Sequence, residues 1–467
     1  MSFRRILLSC VLISAGIVLI AGSAFGRGQG ESSSTGSAAV AQIKIATDSS
    51  GFSEPVWPQY TKSASLTVWT WITNADKLGA MFQKAFPTIQ MDVKSVGQGQ
   101  TDYTKLATAI QAGSGAPDVA QVEFQALPQF VNTGGLLDIS PYVAGVKPLF
   151  PEWAWNQVSM NGKLYAIPQD AGPEGLIYRK DLFDQYKIAV PKTWAEFEQA
   201  GAALHQADPS KYITFVAVND EGEVMGLLWQ GGAYPFKNTP NGWKIDFTSA
   251  AAKKVMSYWL GLVQKGYVKV ANAWTPDWSH ELAVGTYGAV IGAAWSPTYE
   301  IEPYMEKNTT QAWRVSEMPQ WNAGDTVDSN WGGSTDAVTT QTKYPDAAAL
   351  FAAWLNTNKD AVALESTDIG QGGSGLFSAD LFANKLPNFS APVPFLGGQS
   401  ANAVFTKMMP WVDKSFEWSP WTSYVYNQMQ VQFSDMFNGK ISSDQALQNI
   451  QDSVVSFARA QGFKVAN

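Results

Sequence analysis

The chain predicts an α/β protein of two lobes. Strand-like and helix-like runs alternate from about Ser65, the 467 residues suffice for two cores, and the same cap and stripe signals recur in the middle and near the end. The globular body opens where Leu66, Val68 and Thr70 alternate with Thr67, Trp69 and Trp71, a strand period, and a helix follows from Lys77 to Phe86. Ile89, Met91 and Val93 mark a second strand. Tyr103, Leu106, Ala107 and Ile110 recur at helical spacing until Gly113, and Ala116 to Val122 reads as a third strand. This order implies a mainly parallel sheet covered by helices. Thr193-Trp194-Ala195-Glu196 is a capping box that opens a helix to about Gln206, and Tyr212 to Val218 is an apolar strand. Later helices start after Pro345 and at Ser442, where Leu447, Ile450, Val454 and Phe457 form the buried stripe.

Met1 to Ala24 reads as a cleaved export signal. Arg4 and Arg5 precede an apolar run from Ile6 to Ala21, and Gly22-Ser23-Ala24 supplies small residues for cleavage. An uncleaved anchor and lipidation at Cys10 are the competing readings; Cys10 follows Arg5 too closely to leave an apolar region before it. Without residues 1 to 24 the chain has 30 basic and 40 acidic side chains, a net charge of −10, and no cysteine. A disulfide-free chain in an oxidising compartment is held by its cores alone. Its acidic balance, with no cluster of Lys and Arg, argues against nucleic acid or anionic lipid as a partner. Residues 25 to 64 are small and polar, with a short apolar interruption at Ile43 to Ala46, and read as a flexible tether.

Nineteen tryptophans stand beside two histidines, His205 and His280. Indoles offer stiff apolar faces suited to the C–H face of a sugar, while metal ligands and nucleophile partners are scarce. Most tryptophans in any protein pack cores, so position decides which ones bind. Gly370-Gln371-Gly372-Gly373-Ser374-Gly375 fits a dinucleotide pattern, yet it follows a helix-like stretch and opens no helix, so it reads as a flexible loop. No Walker A loop or HExxH occurs, and no cofactor or metal is expected.

Six stretches in order resemble the family 1 extracellular solute-binding proteins of ABC importers, the group that contains the maltose-binding protein. They are Tyr103–Gly113 with Ala116-Pro117-Asp118-Val119, Gly134-Gly135-Leu136-Leu137-Asp138, Asn161–Pro168, Leu176–Phe183 with Pro191–Phe197, Trp331–Ser334 with the helix after Pro345, and Gly439–Leu447. The resemblance implies a type II-like periplasmic-binding-protein fold. One lobe would comprise residues 65–168 and 336–374, the other 173–330 and 375–467, joined by hinge crossovers with a ligand cleft between them. Open α/β sheets bind ligands beyond the carboxyl ends of their strands, and facing sheets make one closable cleft.

Strand ends and crossovers therefore nominate the binding residues. Trp71, Thr73 and Asn74 follow the first strand, and Glu123, Phe124 and Gln125 follow the third. Asp170 lies by resemblance at the hinge, where a structural hydrogen bond competes with a ligand contact. Asp220 and Glu221 follow the strand in the second lobe, and Trp229 could face core or cleft. Trp295 is the leading stacking ring by resemblance, since the family places an aromatic there. Trp331 and Gly333 stand at the second crossover, and Trp418, Trp421 and Tyr426 complete the set. A carboxylate can accept two sugar hydroxyls through charge-assisted bonds. The expected function is non-catalytic capture of a sugar or oligosaccharide outside the cytoplasm and its delivery to an ABC permease, by a monomer. The alternatives are a polyamine or peptide as ligand, or a glycosidase working with carboxylates from Glu123, Asp170 and Glu221.

Overall fold

The computed structural model describes residues 43–305 and 312–466, so the export segment, Cys10 and residues 25–42 of the expected tether lie outside the described residues. The first lobe is built on a five-stranded sheet in the order Ile89–Lys94, Ala64–Trp69, Val119–Glu123, Ser334–Val338, Ala166–Pro168. The first three strands are parallel, as the alternating elements predict. Ser334–Val338 runs antiparallel to both neighbours, with Ser334 opposite Glu123 and Thr335 opposite Pro168. The chain re-enters this lobe at the carboxyl ends of the parallel strands, which forces the reversed direction. Helix Ala75–Ala85 buries Leu78 and Phe82 on one face, and Phe82 meets Phe351 and Trp354 of helix Pro345–Leu355 edge to face. Burial of each such ring is worth about 1.5–3 kcal/mol.

The second lobe departs from the mainly parallel expectation. Its three-stranded sheet, in the order Ala289–Ala293, Glu174–Arg179, Trp313–Glu317, is antiparallel throughout. Thr214–Ala217 and Val268–Ala271 pair in parallel, and a Tyr212–Tyr287 bridge links this pair to the sheet. Helix Trp194–Ala207 is capped as the sequence predicts: Thr193 Oγ1 accepts from the Glu196 N–H at 3.2 Å. The Glu196 carboxylate takes the N–H of Lys192, one residue before the cap, at 2.7 Å. Trp194 is core, edge-on to Phe197 and Trp259, and its indole N–H reaches Gln230 Oε1 at 3.0 Å. Helix Ser443–Ala460 buries Leu447, Ile450 and Val454, and its Phe457 stacks flat on Tyr424 at 3.9 Å.

The flexible-tether reading fails for its second half. Lys44–Thr47 and Ser53–Val56 form an antiparallel hairpin, and Phe52 at its turn is fully buried. Glu54 accepts from Asn358 Nδ2 at 3.1 Å and Lys359 N at 3.0 Å, which docks the hairpin on the start of helix Lys359–Ser366. Composition missed this because the attachment uses main-chain pairing, one ring and one carboxylate instead of an apolar stripe.

Three segments cross between the lobes. Ala171 N bonds to Phe377 O, Trp331 N to Gly172 O, and Ala379 N to Gln169 O, at 2.8–2.9 Å. Gly172 also donates to Asn330 Oδ1 at 2.7 Å. A Cβ on Gly172 would lie 2.0 Å from Trp331 O, backbone that has no room to retreat. Gly172→Ala should therefore cost about 3 kcal/mol in urea unfolding; an unchanged midpoint would contradict a close-packed hinge.

Candidate functional site

Parallel strands in each lobe present their carboxyl ends to the same space. From the first lobe come Glu123, which ends its strand, and Tyr103 on helix Gln100–Gln111. The Tyr103 hydroxyl donates to Glu123 Oε2 at 2.5 Å and accepts from the Glu123 N–H at 3.1 Å, so it fixes the carboxylate. From the second lobe come Glu221, at the start of helix Glu221–Gln230, and Tyr426 of helix Thr422–Phe437. Together with Gln100, Gln125, Ser423, Asn427 and Gln430 they line a cleft of about 460 Å³. That volume falls within the 300–1,000 Å³ typical of small-molecule sites. No Lys, Arg or His stands among the lining residues.

An aromatic wall continues from this cleft. Trp295 and Trp331 meet edge to face, with centroids 4.9 Å apart, and the Trp295 indole N–H donates to Trp331 O at 3.1 Å. Trp274 lies 6.4 Å from Trp295 and nearly parallel to it, and its N–H donates to Asp220 Oδ2 at 2.9 Å. Gly332 approaches both walls: a Cβ there would lie 3.3 Å from the Trp295 indole nitrogen and 3.8 Å from Glu123 Oε1.

Burial governs the acids. Desolvation pushes the Asp220 carboxyl up to about 6, opposed by the Trp274 bond and reinforced by the charge of Glu123. Glu221 is pushed up to about 7, by desolvation and then by Asp220. Glu123 is raised by burial against the bond from Tyr103. Burial thus disfavours the charged form of each of these acids, and among the described residues no basic side chain lines the cleft beside them.

Several nominated residues have other work. Asp170 is a hinge residue: its Oδ1 accepts from the Ser334 N–H at 2.7 Å, and burial raises it to about 6. Thr73 and Asn74 both donate to Gly373 O, at 3.3 and 2.7 Å, and Ser374 Oγ returns a bond to Thr73 O at 2.5 Å. The glycine-rich loop is thus anchored where flexibility was expected, and the Thr73 and Asn74 side chains are spent on it. Phe124 is fully buried against Trp153. Gly333, at φ +78, abuts it: a Cβ there would lie 3.0 Å from the Phe124 ring and 2.9 Å from Asp170 O. Trp71 is half-buried behind Tyr103, edge-on at 6.4 Å.

The tryptophans of the last segment also shift role. Trp229 is fully buried, stacked on Phe416 at 4.1 Å, with its N–H on Asp413 O. Trp421 packs against Trp243 and Phe463, because it caps its helix and points into the small core beside strands Phe236–Thr239 and Gly242–Ile245. Trp418 ties the lobes behind the cleft, through its N–H to Gln157 Oε1 at 3.3 Å and its ring on Phe416. Gln100, Ser423, Asn427 and Gln430 of the cleft lining were missed, and so were Tyr103 and Trp274. Tyr103 was absorbed into a helical apolar stripe, although its hydroxyl was a signal. Trp274 follows strand Val268–Ala271 in the turn Asn272-Ala273-Trp274-Thr275-Pro276, a strand-end position like those that were nominated. Among the described residues no group of three or more His, Cys, Asp or Glu could hold a metal ion.

Two α/β lobes, three crossing segments and a cleft at the strand ends define a two-lobed ligand-binding protein. The chain matches the model for bacterial extracellular solute-binding proteins over residues 77–374, more than half of its length, and belongs to that family. An arabinooligosaccharide-binding protein of Halalkalibacterium halodurans is 25% identical over 268 residues, 56% of this chain and 58% of that protein, so the match spans less than two thirds of the relative. The structure of an ABC transporter-associated binding protein from B. animalis subsp. lactis Bl-04, in complex with β-1,6-galactobiose, is similar with a TM-score of 0.73 and 26% identity, covering 87% of this chain and all (100%) of that one. The galacto-N-biose/lacto-N-biose I-binding protein of Bifidobacterium longum shares the fold, with a TM-score of 0.76 at 23% identity over 87% of this chain and 100% of its own.

Proposed function

We propose that the chain is the extracytoplasmic carbohydrate-capturing component of an ABC importer, binding a sugar or oligosaccharide between its lobes and delivering it, unaltered, to a membrane permease. The observation that carries this reading is a cleft lined by the Tyr103–Glu123 pair and Glu221, with the Trp295–Trp331 pair beside it across Gly332. Apolar ring faces suit sugar C–H groups, and amides and carboxyls suit hydroxyls. The sugar complexes of the similar structures support it. Export by the N-terminal segment, a monomeric state and lack of catalysis belong to the same reading. With Asp170 held in the hinge, a glycosidase would be left with Glu123 and Glu221, and Glu123 is already fixed by Tyr103.

A polyamine or cationic peptide has one observation in its favour, the acids without a basic neighbour. The upward displacement of Asp220 and Glu221 weakens it, because their burial disfavours the charged form that a cation would need. A thermal-shift and calorimetry screen at pH 7 separates the readings: the proposal expects neutral oligosaccharides to raise the melting temperature and to be recovered intact. Stabilisation by spermidine alone, or hydrolysed sugar on chromatography, would overturn it.

A further inference from the structure

The aromatic wall becomes more exposed along its length. Trp331 is 7% exposed, Trp295 half-buried and Trp274 43% exposed, so the row of three rings opens progressively toward solvent. Large apolar side chains this open are uncommon in the molecule, and this one is also held in an unfavourable backbone state. Trp274 has φ +65, a region that bulky side chains rarely adopt and that concentrates at ligand clamps when it occurs.

The surroundings over-determine that state. The Asn219 side chain clips the turn in both directions, accepting from the Ala273 N–H at 2.8 Å and donating to Ala273 O at 3.0 Å. Thr275 closes the next step, its hydroxyl donating to Asn272 O at 2.8 Å. The indole rests on buried Trp278 at 5.4 Å, and Asp220 fixes its N–H. A turn built only to connect strand Val268–Ala271 to helix Pro276–Ala283 needs none of this at an exposed tryptophan.

We propose that Trp274 is an outer stacking subsite, and that the ligand is an oligosaccharide whose inner residue sits on Trp295 while a further residue lies on Trp274 at the cleft rim. This inference rests on the carbohydrate reading and narrows it to a chain of at least two sugars. Asn219 acts as a positioning residue for the subsite through the backbone of Ala273.

The test is calorimetric titration of the wild type, Trp274→Gly, Trp274→Phe and Asn219→Ala with three ladders of increasing length: galactose to β-1,6-galactotriose, glucose to maltotetraose, and arabinose to arabinotriose. Glycine tolerates φ +65, so Trp274→Gly should fold with an unchanged or higher melting temperature without sugar. It should weaken the longest bound sugar roughly tenfold while leaving the shortest one that binds within about twofold. Trp274→Phe should recover most of the loss, and Asn219→Ala should show the same length dependence. Equal weakening at every length, an unaffected longest sugar, or a wild type that takes only monosaccharides would overturn the subsite and leave carbohydrate capture standing. Failure of every ladder to bind the wild type would instead overturn carbohydrate capture, and the subsite with it.

Discussion

Trp295→Ala is expected to weaken sugar binding by about two orders of magnitude, because an aromatic ring that a ligand covers commonly carries about 2–4 kcal/mol. Its centroid lies 4.9 Å from that of Trp331 and 6.4 Å from that of Trp274, and Gly332 carries no side chain between it and Glu123. Trp295→Phe keeps an apolar face but loses the bond to Trp331 O, and should fall between wild type and alanine. Calorimetry reads the affinity, and the melting temperature without sugar separates a lost contact from a lost fold. Unchanged affinity in the alanine variant would remove Trp295 from the site.

The second large effect is on stability against pH. The second lobe buries Glu174, Glu223, Glu300 and Asp328 with no cation beside them in its interior, and Glu174 Oε1, Glu300 Oε2 and Asp328 Oδ2 lack a partner among the described residues. Desolvation pushes Glu174 up to about 8 against the bond from Ser329, pushes Glu300 up to about 8, and raises Glu223 and Asp328 strongly. In the first lobe Asp336 is pushed up to about 7. The folded protein therefore binds more protons than the unfolded chain between about pH 4 and pH 8, and stability falls as pH rises through that window. Each such acid contributes on the order of a few kcal/mol. Exposed carboxylates drawn down by lysines, such as Asp48 by Lys359 and Glu152 by Lys414, act in the opposite sense and below that window.

Urea midpoints should accordingly be higher at pH 5 than at pH 9. Glu174→Gln keeps the shape next to Gly226, removes one titration and should flatten the profile. A midpoint that rises with pH in both proteins would mean that these acids are charged in the folded state.

The fold was legible where local signals agree with tertiary structure. The capping box at Thr193, the stripe from Leu447 to Val454 and the parallel strands of the first lobe all carry their periodicity in the chain. The antiparallel sheet of the second lobe was not legible, because strand direction depends on where the chain crosses the hinge and no residue pattern records that. The docked hairpin was hidden for a similar reason: Glu54 finds its partners at Asn358 and Lys359, some three hundred residues away.

The site was legible as positions and less so as roles. Glu123, Gln125, Glu221 and Tyr426 were picked from strand ends or resemblance, and the structure brings them to one cleft. Trp229 and Trp421 were picked by the same logic and pack the interior, since residue type and order do not reveal which way a ring turns. Trp274 was passed over although it lies in the turn after a strand, and what distinguishes it, a positive φ and a clip by Asn219, exists only in three dimensions.

A crystal structure of the protein grown with β-1,6-galactobiose, maltotriose or arabinotriose, whichever raises the melting temperature most, tests the central claim most directly. An intact sugar is expected in the cleft, with one ring on the face of Trp295 and hydroxyls on Glu123 and Glu221. Sugar density elsewhere on the molecule, or a cleft that stays empty at saturating sugar, would contradict it.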